Sequence, residues 1–336
     1  MAVFDVTIIG GGPVGLFGAT MARLHGMTAK IIESLPELGG QLYALYPEKP
    51  IFDVGGFPSI PAKDLAAQLI AQTERFHPTI CLDESVLRIE ATESGYRLYT
   101  SQGVHETRAI LITVGIGAFV PRKLPANDAE RFEGRGVYYF VPALTAFAGR
   151  QVVVVGGGDT AVDWALAIAQ HAASTTLVHR RNEFRAQPES LRLLRETPRI
   201  HLKTPYEMIG VAGSDTLTSV TIKPVGDGEP ETVRADAVVS GLGFLPTLGP
   251  VKDWGLALEG NAITVAPTSM ATNLRGVWAC GDVAQYPGKV KLIATGFGEI
   301  GIAIAQIRTY LDPSKKGHLP HSTNIKSAKA PVENPA

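Results

Sequence analysis

The stretch Val6-Thr7-Ile8-Ile9-Gly10-Gly11-Gly12-Pro13-Val14-Gly15 decides the fold. A short β-branched run ends in a glycine turn, and an apolar segment from Leu16 to Leu24 follows and closes at Gly26, so the order is strand, turn, helix. The next strand, Ala29 to Ile32, ends at Glu33, 23 residues after Gly10, near the spacing of a dinucleotide fingerprint. Gly10 serves the tight turn, Gly12 lets the backbone approach a pyrophosphate, and Gly15 lets helix and strand pack closely, with Pro13 in the same turn. The helix N-terminus then meets the phosphates. Glu33 is either a ribose acceptor or a solvated strand-end carboxylate.

The pattern recurs 146 positions on. Gln151 to Val155 leads into Gly156-Gly157-Gly158-Asp159-Thr160-Ala161, an Ala-rich helix runs to about Ala172, and a strand from Thr175 to Val178 ends at His179. Two such units predict two nucleotide-binding modules in one chain and an α/β fold class, with two Rossmann-like three-layer domains, each carrying a parallel sheet and a small β-meander. The meanders are expected from Ser85 to Ile112, inserted in the first module, and from Leu217 to Val239. Glycine-marked returns follow each, Thr113 to Gly117 and Ser240 to Pro246. A strand from Gly276 to Ala279, the turn Cys280-Gly281-Asp282 and a helix from about Gly298 to Leu311 bring the chain back to the first domain. The expected division is therefore 1–119 plus 246–336, and 120–245.

With 336 residues, 45% hydrophobic, 19% charged and a net charge of -1, the chain is neither disordered nor an electrostatic nucleic-acid binder. Two cysteines, Cys81 and Cys280, make neither a disulfide framework nor a four-ligand zinc site, and both read as inert. No run approaches the ~18 apolar residues of a membrane span, and the first residues lack a basic leader. The expectation is a cytoplasmic protein with no membrane partner and no metal.

The second fingerprint replaces acid with cation: His179 stands where Glu33 stood, followed by Arg180 and Arg181, with Arg185 close by. Guanidinium forks pair with a ribose 2′-phosphate that a carboxylate would repel. The pair of fingerprints therefore predicts FAD in the first module and NADP(H) in the second. Residues expected at the second site are Gly156, Gly158, Asp159, Thr160, His179, Arg180, Arg181 and Arg185. A solvated basic helix face running on through Arg192 is the alternative.

The layout, the Gly156–Ala161 turn and the run His179-Arg180-Arg181-Asn182-Glu183-Phe184-Arg185-Ala186 resemble the thioredoxin reductase family. That family carries a redox-active CxxC before its second fingerprint, and the stretch Tyr139 to Phe147 has no cysteine, so an internal dithiol relay is excluded. Over nearly the whole chain the sequence is more similar to the thioredoxin-reductase-like ferredoxin/flavodoxin–NADP(+) reductases, through Ile31 to Leu42, Tyr46-Pro47-Glu48-Lys49, Asp53 to Pro58 and His321-Ser322-Thr323. The resemblance implies that Glu33, Gln41, Tyr46, Val86, Phe119, Asp282 and Thr323 contact FAD. It also implies that Tyr46 and His321 cover opposite faces of the flavin ring, and that the chain is a homodimer.

On the residues alone, Tyr46 either stacks on a flavin or pins its loop, Asp282 either holds a ribityl hydroxyl or caps a turn, and His321 reads as a surface residue. Gly296-Phe297-Gly298, read as the opening of the last helix, either stabilises reduced flavin or allows close packing. The expected activity is hydride transfer from NADPH to FAD, then single-electron transfer to ferredoxin or flavodoxin. Lys289, Lys291, Lys315, Lys316 and Lys326 are candidates for docking an acidic carrier. Rival expectations are an NADPH oxidase or diaphorase, and a non-catalytic redox sensor.

Overall fold

The computed structural model describes residues 2–141, 143–315 and 319–324, and at 118–120 and 244–246 it describes the backbone only. The chain forms two compact units, Met1–Ala118 with Pro246–Ala336, and Phe119–Leu245.

The first unit opens with strand β1 (Val3–Ile9), helix α1 (Pro13–Leu24) and strand β2 (Ala29–Ile32). All four residues of β2 are buried, the mark of a strand covered on both faces. The parallel part of its seven-stranded sheet runs Thr79–Cys81, β2, β1, Val104–Ile112, Val277–Ala279. Cys81, Ile32, Ile9, Ile112 and Ala279 lie in one row across it. Gly10, Glu33, Thr113 and Cys280 therefore follow directly at the carboxyl edge. The chain leaves β1 toward β2 on one side and meets Val104–Ile112 on the other, so the glycine turn lies at a topological switch point, where open α/β sheets bind ligands.

The first meander is present over the expected residues, and it extends the main sheet: the hairpin Val86–Thr92/Gly95–Thr100 pairs with the first half of Val104–Ile112, whose second half pairs with Val277–Ala279. A nine-residue strand is long enough to serve two partners along one edge. The last helix begins at Ile293 rather than Gly298, and it packs on α1. Gly296 lies within it because a Cβ there would stand 2.5 Å from Val14 Cγ2. Its smallness thus serves close helix packing.

In the second unit the parallel order is Val137–Tyr138, Ala237–Ser240, Gln151–Val155, Ser174–Val178, Ile200–Lys203. Val152 and Val154 enter one apolar cluster with the helix Asp159–Ala169, while Val153 and Val155 enter another with Val211, Val220 and Ile222. Alternation on a strand sends successive side chains to opposite faces, and each buried valine contributes on the order of 1.5–3 kcal/mol. The result is three layers: helices, parallel sheet and an antiparallel sheet of Tyr206–Gly213, Leu217–Pro224 and Glu231–Arg234. That antiparallel sheet begins at Tyr206, earlier than the expected Leu217, and the Ala-rich helix ends at Ala169, short of Ala172.

Candidate functional site

At the first glycine turn, Gly10 has φ +106°, a left-handed conformation that only glycine adopts readily, and a Cβ there would stand 2.7 Å from the Thr113 carbonyl oxygen. A Cβ on Gly15 would lie 1.9 Å from the Gly10 carbonyl oxygen. The buried Thr113 hydroxyl donates at 2.9–3.1 Å to the Gly10 and Ile9 carbonyls. A Cβ on Gly12, by contrast, meets nothing within 4 Å. The turn is therefore closed toward its own backbone and open where α1 begins, with Pro13 in its first turn and no side-chain cap on its first N–H groups. That is a ready anion cradle.

Glu33 is buried, which removes the solvated-carboxylate alternative. Its Oε2 accepts the Gly11 N–H at 2.6 Å and its Oε1 accepts the Leu35 N–H at 2.9 Å. The carboxylate is thus held rigidly at the edge of the turn with lone pairs left for a hydroxylated ligand. The Gly39 N–H bonds the Gly11 carbonyl at 2.9 Å, bringing the short helix Gln41–Ala44 and half-buried Gln41 to the same edge.

Tyr46 is half-buried against the core, and its hydroxyl is pushed up to about 12 by burial and by the carboxylates of Asp282 and Asp53. Asp282 is half-buried too, and burial raises its carboxyl. The structure thus brings Tyr46 and Asp282 within electrostatic reach at one end of the unit. Val86 is buried at the start of its strand; His321 and Thr323 are exposed near the C-terminus. The side chain of Phe119 lies outside the described residues, as do Lys316 and Lys326.

Lys289 requires correction. Its side chain is 2% exposed and ion-paired with Glu299, so it cannot dock a carrier. Sequence reading passed over Glu299, although it is the only charge between Ile293 and Ile307, a signal that a helix buries an acid for a reason. Of the other docking candidates, Lys291 is exposed and Lys315 pairs with Asp312 at 3.4 Å.

The second turn repeats the three leading glycines of the first and differs at the next three positions. Gly156 and Gly158 take the places of Gly10 and Gly12, and Ala161 takes that of Gly15; room for its methyl comes from Gly241, where a Cβ would lie 2.6 Å from Ala161 Cβ. Asp159 and Thr160 open the helix, and Asp159 Oδ1 accepts the Gln187 N–H at 2.9 Å. The His179 ring lies over Gly157, where a Cβ would come within 2.4 Å of three of its atoms, and its Nε2 bonds the Glu183 carbonyl at 3.1 Å.

Burial, aided by the charges of Arg181 and Arg180, holds the His179 imidazole below its ordinary value. Its uncharged form is thereby favoured, which leaves the cations expected there to the arginines. Arg180, Arg181 and Arg185 are exposed, and among the described residues none of them forms an ion pair. Arg192 is instead clasped by Glu189 and Glu196, each at 2.6 Å, which separates it from the basic cluster. A neutral His179 predicts that KM for NADPH stays flat as pH rises from about 7 to 8.5, measured by initial rates. A steep rise would show an imidazolium contact instead.

Both cysteines are free, and burial raises both thiols, Cys280 strongly. Cys81, Glu84 and His105 place three potential metal-ligand atoms within 4.8 Å of one another. Lys30 already supplies a cation there, 2.8 Å from His105 Nδ1, while His105 Nε2 meets Glu84 at 2.7 Å. Backbone bonds of 2.9 Å tie this cluster to Glu33, whose N–H bonds the Cys81 carbonyl and whose carbonyl accepts the Glu84 N–H.

The family profile described as pyridine nucleotide-disulphide oxidoreductase matches residues 4–299. A protein of Shouchella clausii named ferredoxin–NADP reductase 2 is 48% identical over 325 residues, covering 96% of this chain and 98% of its own. A ferredoxin–NADP reductase of Geobacillus kaustophilus is also 48% identical, with 96% and 97% covered. Among solved structures, Lactococcus lactis thioredoxin reductase in its FR conformation is 27% identical with a TM-score of 0.76, covering 92% of this chain and 99% of its own. T. acidophilum thioredoxin reductase shares the fold at 23% identity and a TM-score of 0.77, with 94% and 100% covered. With a profile match over most of its length and full-length relatives at this identity, the chain belongs to the pyridine nucleotide-disulphide oxidoreductase family.

Proposed function

We propose that the chain is a ferredoxin–NADP(+) oxidoreductase, with FAD on the first unit and NADP(H) on the second. The observation that carries this reading is the pair of matched glycine turns at the carboxyl edges of two parallel sheets, one bordered by buried Glu33 and the other by Arg180, Arg181 and Arg185. The names of the full-length relatives supply the carrier.

FAD held on the first unit would supply hydride acceptance from NADPH and release of the two electrons one at a time to a one-electron carrier. The chain's residues hold and orient. The turn at Gly10, Gly12, Pro13 and Gly15 takes the pyrophosphate on the N-terminus of α1, and Glu33 takes the ribose. Gln41, Val86, Asp282 and Thr323 line the remainder, with Tyr46 and His321 against the two ring faces, as the resemblance implies. Tyr46, raised to about 12, keeps its proton at every working pH. Gly156, Gly158, Asp159 and Thr160 form the second phosphate turn, His179 fixes it, and the three arginines take the 2′-phosphate.

Two free cysteines with raised thiols cannot run a dithiol relay, which turns the electrons outward to a separate protein. Ferredoxin or flavodoxin fits that need. Among the described residues no helix is long and apolar enough to cross a membrane. The same reading takes the protein as a cytoplasmic homodimer. The test is reduction of the FAD-reconstituted protein by NADPH without oxygen: bleaching that is much faster with NADPH than with NADH is expected. No bleaching with either would favour the redox-sensor alternative.

A further inference from the structure

Glu299 and Lys289 form an ion pair whose side chains are 3% and 2% exposed. Oε2 of Glu299 accepts the Gly281 N–H at 2.7 Å; its Oε1 accepts the Tyr286 hydroxyl at 2.6 Å and also meets the Lys289 ammonium. Gly281 has φ +81° and precedes Asp282, so this carboxylate fixes the backbone from which Asp282 projects. The other ionisable groups facing the pair are fully buried Cys280, half-buried Asp282 and Tyr286, the last raised to about 12 by burial and by Glu299. A buried ion pair adds little to stability over well-packed apolar side chains, while removing one partner leaves an uncompensated charge. Its place under the Gly281–Asp282 turn points to a role in what that turn holds.

We propose that Glu299 and Lys289 are positioning residues for bound FAD: the pair fixes the Gly281–Asp282 turn, and its balanced charges set the field in which the cofactor takes up electrons. This rests on the FAD reading of the first unit. A lone buried ammonium would favour electron uptake and a lone buried carboxylate would oppose it, because charges in a low-dielectric interior are poorly screened. The two single substitutions must therefore act with opposite sign, which a purely structural role would not produce.

The experiment compares FAD-reconstituted wild type with Glu299→Gln, Lys289→Met and the double variant. Midpoint potential is read by dye-coupled titration and FAD affinity by flavin fluorescence. Glu299→Gln is expected to raise the potential by about 30 mV, tenfold in the two-electron equilibrium constant. Lys289→Met is expected to lower it by a similar amount. Both singles should weaken FAD binding about tenfold, and the double variant should return to within about 15 mV of the wild-type potential, about threefold in the two-electron equilibrium constant. Shifts of the same sign, or none, overturn the proposal. Should a single variant not fold, a wild-type potential in the double variant supports charge balance and a tenfold departure overturns it. A wild type that takes up no FAD sinks the cofactor reading itself, a separate result.

Discussion

Replacing Arg180 and Arg181 together with alanine is expected to lower kcat/KM for NADPH about a hundredfold while leaving NADH within about twofold. Hydrogen bonds to charged groups contribute about 1.5–3 kcal/mol each, and about 1.4 kcal/mol is a factor of ten. The structure narrows which cations matter. Strand Ser174–Val178 ends at His179, whose ring and Glu183 contact fix the turn, and the two arginines follow it into solvent. Arg192 is held by two glutamates of its own helix, so Arg192→Ala serves as the control and should leave KM for NADPH unchanged. Initial rates with both nucleotides check this. Equal losses with NADPH and NADH would make the arginines structural.

Gly15→Ala and Gly12→Ala should separate folding from cofactor binding. The first places a methyl 1.9 Å from the Gly10 carbonyl oxygen and 2.7 Å from Thr113 Oγ1, and the nearest of these is backbone that cannot rotate away. Overpacking costs about 1–3 kcal/mol or more, so Gly15→Ala should lower the Tm of the FAD-free protein by several degrees and abolish FAD retention. At Gly12 the methyl meets no protein atom within 4 Å. Gly12→Ala should therefore keep the wild-type Tm without FAD, within about 0.5 kcal/mol, yet weaken FAD binding about tenfold or more, because the methyl occupies the space for the phosphates. Thermal unfolding and flavin titration distinguish the two. A destabilised Gly12→Ala, or a Gly15→Ala that holds FAD normally, would contradict this assignment of the turn.

Much of the architecture was legible because its signals are local. A β-branched run, a glycine turn and an apolar helix within about twenty residues identify the unit wherever it occurs, and strand Ala29–Ile32 ends where the pattern places it. What failed depended on partners distant in sequence. Gly296 reads as part of the opening of the last helix until Val14 is seen against it, and the hairpin Val86–Thr100 reads as an insertion until its pairing with Val104–Ile112 shows that it extends the main sheet. Lys289 looks like any surface lysine, since no periodic pattern announces that Glu299 will face it in the interior. His179 stands in a run of cations, and the burial that lowers its imidazole comes from the fold and not from that run. The roles expected of Gln41, Val86, Asp282 and Thr323 in the first unit rest on resemblance, since single residues carry no period to read.

The most direct test is anaerobic stopped-flow mixing: FAD-loaded protein is reduced with NADPH, then mixed with oxidised ferredoxin. The predicted result is rapid flavin reoxidation with two ferredoxins reduced per flavin, each by one electron. Flavin that stays bleached in the presence of ferredoxin or flavodoxin and reoxidises only when air is admitted would contradict it, and would make the protein an NADPH oxidase.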